Sequence, residues 1–381
     1  MSLATGPCDD CSPGYGAAMK KRLLEALPDA TVVVRAPGRV NLIGEHTDYN
    51  GFPVLPMAID RSIWIAIAAR NDDALVVRSI TPRQYPAETI PLAEIVSRRP
   101  AGTWVDYVVA AARRRPPEAG LELVVAGTVP VEAGLSSSSA LVVAAFLAMG
   151  EIGDRLELAE EARVAERYVG TLSGGMDQAI ALLGMPGQAL RIDFRPVRAE
   201  AVEMPREIAV VVAHSGVRAA KSGAAREAYN ARVHECLAAA GQLGAGDQGL
   251  LADVAPGRRP AVHELDDPLL RRRAGFVFAE ARRVEEAVEA LRSGNLPVLG
   301  ELLNASHRGL HDDYEVSHPA VDSLVERARA AGAAGARVVG AGFGGCIVAV
   351  CERGQARGLR AALGPESWVF SPAAGAERTT V

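Results

Sequence analysis

The sequence predicts an α+β protein. Strand-like runs rich in Val, Ile and Leu are interleaved with helical patterns, and the two do not keep the strict βαβ cadence of a doubly wound sheet. With 381 residues, 49% of them apolar and 23% charged, the chain has the composition of a soluble globular protein and enough core for two domains.

Strands are expected at Thr31–Arg35, which runs into a turn at Pro37–Gly38, and at Ile63–Ala69, Leu75–Arg78 and Leu121–Ala126, each bounded by turn residues. Helical patterns follow at Ala140–Gly150, Leu156–Val169 and Ala179–Leu183. In the second half Ile208–Ala213 reads as a strand, and Val217–Leu243, Gly275–Leu291 and Ala320–Ala331 read as helices. Cys346–Cys351 and Trp368–Phe370 close the list as strands. Prolines interrupt the pattern around Arg195–Pro205, so the expected domains are 1–195 and 196–381.

A net charge of −5 gives no electrostatic case for a nucleic-acid or membrane-surface partner. Five scattered cysteines argue against a disulfide framework and for a reducing, cytoplasmic setting. Cys8 and Cys11 are spaced like half of a zinc or redox site, but no second pair or nearby histidine completes one, and the surrounding Gly and Pro read as a disordered tail. The longest apolar stretch, 140–150, is short of the roughly 20 residues a spanning helix needs, and no signal peptide is legible.

Three segments are too polar or too glycine-rich for their surroundings. In RAPGRVNLIGEHTDYNGF, from Arg35, a strand leads into Arg39, Glu45, His46 and Asp48. Such a loop is either solvated or built to bind a polyol through several acceptors and a donor. In GTVPVEAGLSSSSAL, Gly134 and Ser136–Ser139 open an apolar helix. One serine suffices for an N-cap, whereas four beside unpaired amides and a positive dipole suit a phosphate. The Walker pattern is absent. In GAGFGGC, Gly340, Gly342, Gly344 and Gly345 permit close backbone approach, but a strand follows, so this is not a dinucleotide fingerprint. A fourth turn, Ser173-Gly174-Gly175-Met176-Asp177-Gln178, ends on a carboxylate at a helix start, which reads equally as an N-cap or a functional acid.

Together these segments resemble the galactokinases of the GHMP small-molecule kinase superfamily. GRVNLIGEHTDYN at Gly38–Asn50 is the galactokinase signature, PVEAGLSSSSA at Pro130–Ala140 the superfamily's serine loop, and GAGFGGC at Gly340–Cys346 its third motif, in the family order over roughly Val32–Val350. The resemblance implies a two-lobed GHMP kinase fold with the active site in the cleft between lobes, and ATP-dependent phosphorylation of the anomeric hydroxyl of D-galactose. It implies Asp177 as general base, with Arg39 keeping it ionised and neutralising the transferred phosphoryl group. By the same resemblance Glu45, His46, Asp48, Gly174 and Tyr229 line the sugar site. Gly134, Leu135, Ser136, Ser137, Ser138 and Ser139 cradle ATP, with Trp104 near the adenine, and Ser138 and Glu166 are the Mg2+ ligands. The expected partners are a small-molecule sugar and ATP, with no nucleic acid or membrane, and the chain is expected to be a monomer.

The sequence departs from the pattern in two places. Tyr49-Asn50-Gly51-Phe52-Pro53-Val54 carries a proline where most galactokinases do not, and Ala165 occupies the usual position of the metal glutamate, with Glu166 one residue later. The ERYVGTLSGGMDQ segment and Lys221 resemble the N-acetylgalactosamine kinase branch, which keeps that sugar as an alternative substrate. A non-catalytic sugar sensor would carry changes in the serine loop or near the base, and a mevalonate kinase would lack EHTD at Glu45–Asp48. This chain keeps all of these.

Overall fold

The computed structural model describes residues 14–81, 84–218, 223–246 and 249–381. Cys8, Cys11 and Lys221 lie outside them. The first half contains α1 (Gly14–Ala26), β1 (Val32–Asn41), β2 (Pro56–Ala69), β3 (Ala74–Ser79), β4 (Glu88–Pro91), α2 (Asp106–Arg114), β5 (Leu121–Gly127), α3 (Ser137–Met149), α4 (Arg155–Glu166) and α5 (Met176–Leu183). The hairpin β6 (Gln188–Phe194) and β7 (Val197–Glu203) follows. The second half contains β8 (Ile208–His214), α6 (Ala224–Gln242), α7 (Pro268–Arg292), α8 (Leu296–Asp312), α9 (Pro319–Ala330), β9 (Gly335–Val338), β10 (Cys346–Glu352), α10 (Ala356–Leu363), β11 (Ser367–Phe370) and β12 (Glu377–Thr380).

The first lobe is built on a six-stranded sheet in the order β12-β1-β2-β5-β3-β4, antiparallel except for β3 against β5. Its central strands are buried on both faces, which is why β1 begins Val-Val-Val with no alternation. Val32 and Val34 join the main core, whereas Val33 packs with Ala66 and Val124 under Leu23 of α1 and Leu27 just after it. Helix α3 is apolar all round and buried from Ala140 to Ala148 among β1, β2, α2 and α5, as expected of a central helix. The second lobe is a four-stranded antiparallel sheet, β11-β8-β10-β9. Val210, Val212, Val348 and Val350 face the first lobe's core, and Val211, Ala213, Ile347 and Ala349 face that of α6 to α10. The period-two alternation of side chains therefore joins the lobes through one sheet.

Several elements differ from expectation. Pro37–Gly38 is not a turn: β1 continues to Asn41, with its register against β2 shifting between Pro37 and Arg39. A bulge absorbs a proline that cannot donate to the ladder. The helix expected from Val217 begins at Ala224, because Val217 is held in a loop where its carbonyl accepts from Gly345 N at 2.7 Å. Helices α1, α2, α8 and α10 and the β6–β7 hairpin were not legible as elements. The expected division at 195/196 falls in the turn of that hairpin, and β12 returns to pair with β1.

A buried guanidinium ties the lobes together. Arg337 on β9 donates to the carbonyls of Leu42 (2.7 Å), Asn41 (2.6 Å) and Val338 (2.7 Å), and its NH1 lies 3.4 Å from Glu45 Oε1. A second buried acid, Glu280 on α7, accepts from Gly44 N at 3.0 Å and Ser306 Oγ at 2.7 Å. Removing one partner of a buried ion pair strands the other, at a cost of about 3–5 kcal/mol. Arg337→Met should therefore lower the unfolding free energy by about that amount in equilibrium urea denaturation. Wild-type stability in this variant would show the fork to be dispensable.

Candidate active site

The bulge in β1 aims Arg39 inward. Its Nε donates to Asp177 Oδ1 at 2.9 Å and its NH2 lies 2.8 Å from the same oxygen, while NH1 donates to the Gly134 carbonyl. Asp177 lies in the first turn of α5, and Gly175 is the N-cap. The N-cap reading of Asp177 therefore fails. Its second oxygen accepts from Ser136 Oγ and, at 3.4 Å, from Ser139 Oγ. Ser136 is the N-cap residue of α3, in a left-handed conformation, but its side chain makes no capping bond. The first-turn amides of α3 therefore take no capping bond from Ser136, an arrangement compatible with an anion at the helix end.

The signature segment lies opposite. Glu45 Oε1 accepts from Gly340 N at 2.7 Å, which fixes the glycine loop to the signature. Asp48 accepts from Met176 N at 3.3 Å. A Cβ on Gly174 would come within 2.3 Å of Tyr49 N and 2.4 Å of Asp48 Cγ, so only glycine lets this turn approach. A Cβ on Gly134 would come 2.7 Å from the Val339 carbonyl, so the serine and glycine loops also meet backbone to backbone. Arg39, Glu45, His46, Asp48, Asp177 and Tyr229 all line one cleft, with Thr171, Ser173, Arg226 and Gly340–Phe343 completing it. The rings of Tyr229 and His46 are 5.7 Å apart.

The remaining predicted residues lie around this cleft. Glu166 is fully buried and accepts from Ser139 Oγ at 2.8 Å and from Gln178 Nε2. Ser137 and Ser138 are half-buried in the first turn of α3, and Leu135 accepts from Arg39 N at 3.1 Å. Trp104 does not line the cleft. Its Nε1 donates to the Pro86 carbonyl, and its ring meets Tyr85 edge to face. Sequence reasoning missed Arg337, Glu280 and Tyr314. All three are buried, Arg337 on a strand, Glu280 on a helix and Tyr314 just after one, and no local signal marks them.

Burial, followed by the charge of Asp177, pushes the Asp48 carboxyl up to about 6. Burial, then Arg232 and Arg337, push the His46 imidazole down to about 3, leaving the ring neutral at pH 7. Burial holds the Tyr229 phenol well above its ordinary value. The cleft therefore offers carboxylates, a neutral imidazole, a phenol and the guanidinium groups of Arg39 and Arg226, a set of acceptors and donors suited to the hydroxyls of a polyol.

Three stretches match family models: residues 24–69 the galactokinase galactose-binding signature, 105–185 the GHMP kinases N terminal domain and 287–369 the GHMP kinases C terminal domain. A galactokinase of Roseiflexus sp. (strain RS-1) is 42% identical over 343 residues, which cover 86% of this chain and 85% of the relative. The crystal structure of Lactococcus lactis galactokinase complexed with galactose superposes with a TM-score of 0.85 at 30% identity, over 95% of this chain and 99% of that one. That of Methanococcus jannaschii mevalonate kinase, at 17% identity and a TM-score of 0.64 over 90% and 99% of the two chains, shares the fold alone.

Asp48 binds its proton more tightly folded than unfolded, so it costs stability as pH rises from about 4 to about 6. The full cost is about 3 kcal/mol above that window. Asp48→Asn should remove this slope. In urea unfolding of the ligand-free protein, the variant should gain stability over wild type at pH 7 but not at pH 4. An equal difference at both values would show that Asp48 is not perturbed.

Proposed function

The chain belongs to the galactokinase family of the GHMP kinases, and from that premise we propose that it transfers the γ-phosphoryl group of ATP to the anomeric hydroxyl of D-galactose with Asp177 as the general base. The observation that carries this reading is the buried Arg39–Asp177 pair, set between the signature segment and the open end of α3. Phosphoryl transfer depends mainly on positioning and electrostatics, and the chain supplies both.

Glu45, His46, Asp48, Gly174 and Tyr229 hold the sugar, and the α3 amides with Gly134–Ser139 hold the phosphates. The anomeric hydroxyl takes the place of Ser136 on Asp177 Oδ2 and gives up its proton there, while Arg39 holds Oδ1 and balances the charge. Trp104, near Tyr85, is the proposed adenine neighbour. Magnesium fits the donor set beside α3, because Ser138 and Glu166 offer only oxygen and Glu166 is linked to the serine turn through Ser139. When bound, the ion neutralises phosphate charge. Among the described residues no helix is long and apolar enough to cross a membrane. The buried free thiols of Cys236, Cys346 and Cys351 support a cytoplasmic setting, and we take the chain to act as a monomer.

Asp177→Ala should lower kcat by at least about 100-fold while ATP affinity stays within about twofold. Retention of a tenth of wild-type turnover would remove the base assignment. Ser138→Ala should raise the magnesium concentration for half-maximal rate by about tenfold and leave galactose KM nearly unchanged. An unchanged magnesium dependence would move the ligand to a neighbouring serine. The reading as a whole is tested by ADP release with galactose, N-acetylgalactosamine, arabinose and galacturonate. Galactose should give the highest kcat/KM, and a tenfold preference for another sugar would overturn the substrate.

A further inference from the structure

His46 sits at the cleft end of a string of buried hydrogen bonds that runs into the second lobe. Its Nδ1 is 3.0 Å from Tyr49 OH, Tyr49 OH is 2.7 Å from Tyr314 OH, and Tyr314 OH is 3.1 Å from Cys236 Sγ. All four side chains are buried. The other ring nitrogen, Nε2, is buried and meets no side-chain partner, in a residue that lines the cleft, and the Ala341 backbone bears on the ring. A buried polar atom that faces a cleft without a well-formed protein hydrogen bond can take one from a ligand.

The protons in this string can be counted. Burial pushes the Cys236 thiol up to about 11 and holds both phenols well above their ordinary range, so each carries its hydrogen at pH 7. His46, pushed down to about 3, carries one proton on its ring. Three S–H or O–H donors then face three links, and two directions are open. In one, the thiol donates to Tyr314, Tyr314 to Tyr49 and Tyr49 to Nδ1. In the other, Nδ1–H donates to Tyr49 and the string ends on sulfur as acceptor. Imidazole nitrogen is a strong acceptor for a phenol, whereas a thiol is weak both as donor and as acceptor, so the histidine end decides and favours the first direction. The second hydrogen bond of a histidine decides which nitrogen keeps the proton. The groups around the ring are Tyr229 and Tyr314 in ring contact, the cations Arg232 and Arg337, and the Ala341 backbone.

We propose that Cys236, Tyr314 and Tyr49 are positioning residues that hold His46 in the Nε2–H tautomer, so that Nε2 donates a hydrogen bond to a sugar oxygen in the cleft. The proposal rests on the sugar-kinase reading for its ligand, but the tautomer is a property of the ligand-free protein. The string crosses between elements: His46 and Tyr49 belong to the signature, Tyr314 follows α8 and Cys236 is on α6. It therefore lets the second lobe determine what the signature presents to the sugar.

Long-range 1H–15N spectra of ligand-free protein labelled at histidine nitrogen read the tautomer, with His46→Asn identifying the His46 signals. Wild type should show a bare Nδ1 and a protonated Nε2. Tyr49→Phe should move the proton to Nδ1 or mix the tautomers, and raise galactose KM about three- to tenfold with kcat and ATP KM within about twofold. Tyr314→Phe and Cys236→Ala act further along the string and should give the same trend with smaller size. They also serve if Tyr49→Phe does not fold. Nδ1–H in wild type, or an unchanged tautomer in both tyrosine variants, overturns the proposal. A shifted tautomer with unchanged galactose KM overturns the recognition role. Failure of the sugar-kinase reading looks different: wild type would then release no ADP with galactose, while its spectra would stay as described.

Discussion

A guanidinium with no access to solvent sets the geometry on which this molecule depends. Arg337 spends its fork on the carbonyls of Asn41, Leu42 and Val338, with Glu45 as its counter-charge. Burying such a pair costs several kcal/mol, so its worth lies less in stability than in what it forbids. The segment after β1 cannot slide against β9 without leaving a charge and several carbonyls unpaired. Because Glu45 also accepts from Gly340 N, the glycine loop is fixed by the same contact. The two lobes thus meet in one register, and the cleft inherits it.

Close approach does the rest. Where the loops converge there is no room for a Cβ at Gly174 or Gly134, so backbone meets backbone and the polar side chains are turned into the cleft. Asp177 is reached from two sides: Arg39 from the strand bulge and Ser136 from the serine loop. One carboxylate therefore connects the strand bulge with the serine loop. Positions fixed in advance cost nothing to reorganise when charge develops, which is what transfer of a phosphoryl group demands.

The electrostatic character of the cleft follows from its crowding. Burial, with the charge of Asp177 beside it, raises the Asp48 carboxyl, and burial, with Arg232 and Arg337, keeps the His46 imidazole neutral. Carboxylates that accept and neutral groups that donate suit a hydroxyl-rich ligand, while Arg39 and Arg226 add positive charge to the same cleft.

The sequence by itself determined the family and singled out most of the polar residues that line the cleft. Gly38–Asn50, Pro130–Ala140 and Gly340–Cys346 are short, local and dense in polar or glycine residues where a core should be apolar. Strands such as β8 and β10, continuous in Val, Ile and Ala, were legible for the same local reason. Pro37–Gly38 was misread because a proline and glycine look alike in a turn and in a bulge, and only pairing with β2 distinguishes them. Tertiary structure alone decided which Ser136–Ser139 hydroxyl meets Asp177, since four adjacent serines differ only in the direction each faces from the helix. It also supplied Arg337, Glu280, Tyr314 and Cys236. These are ordinary residues in sequence, and they matter because a buried charge or hydroxyl must find a partner that lies far away along the chain.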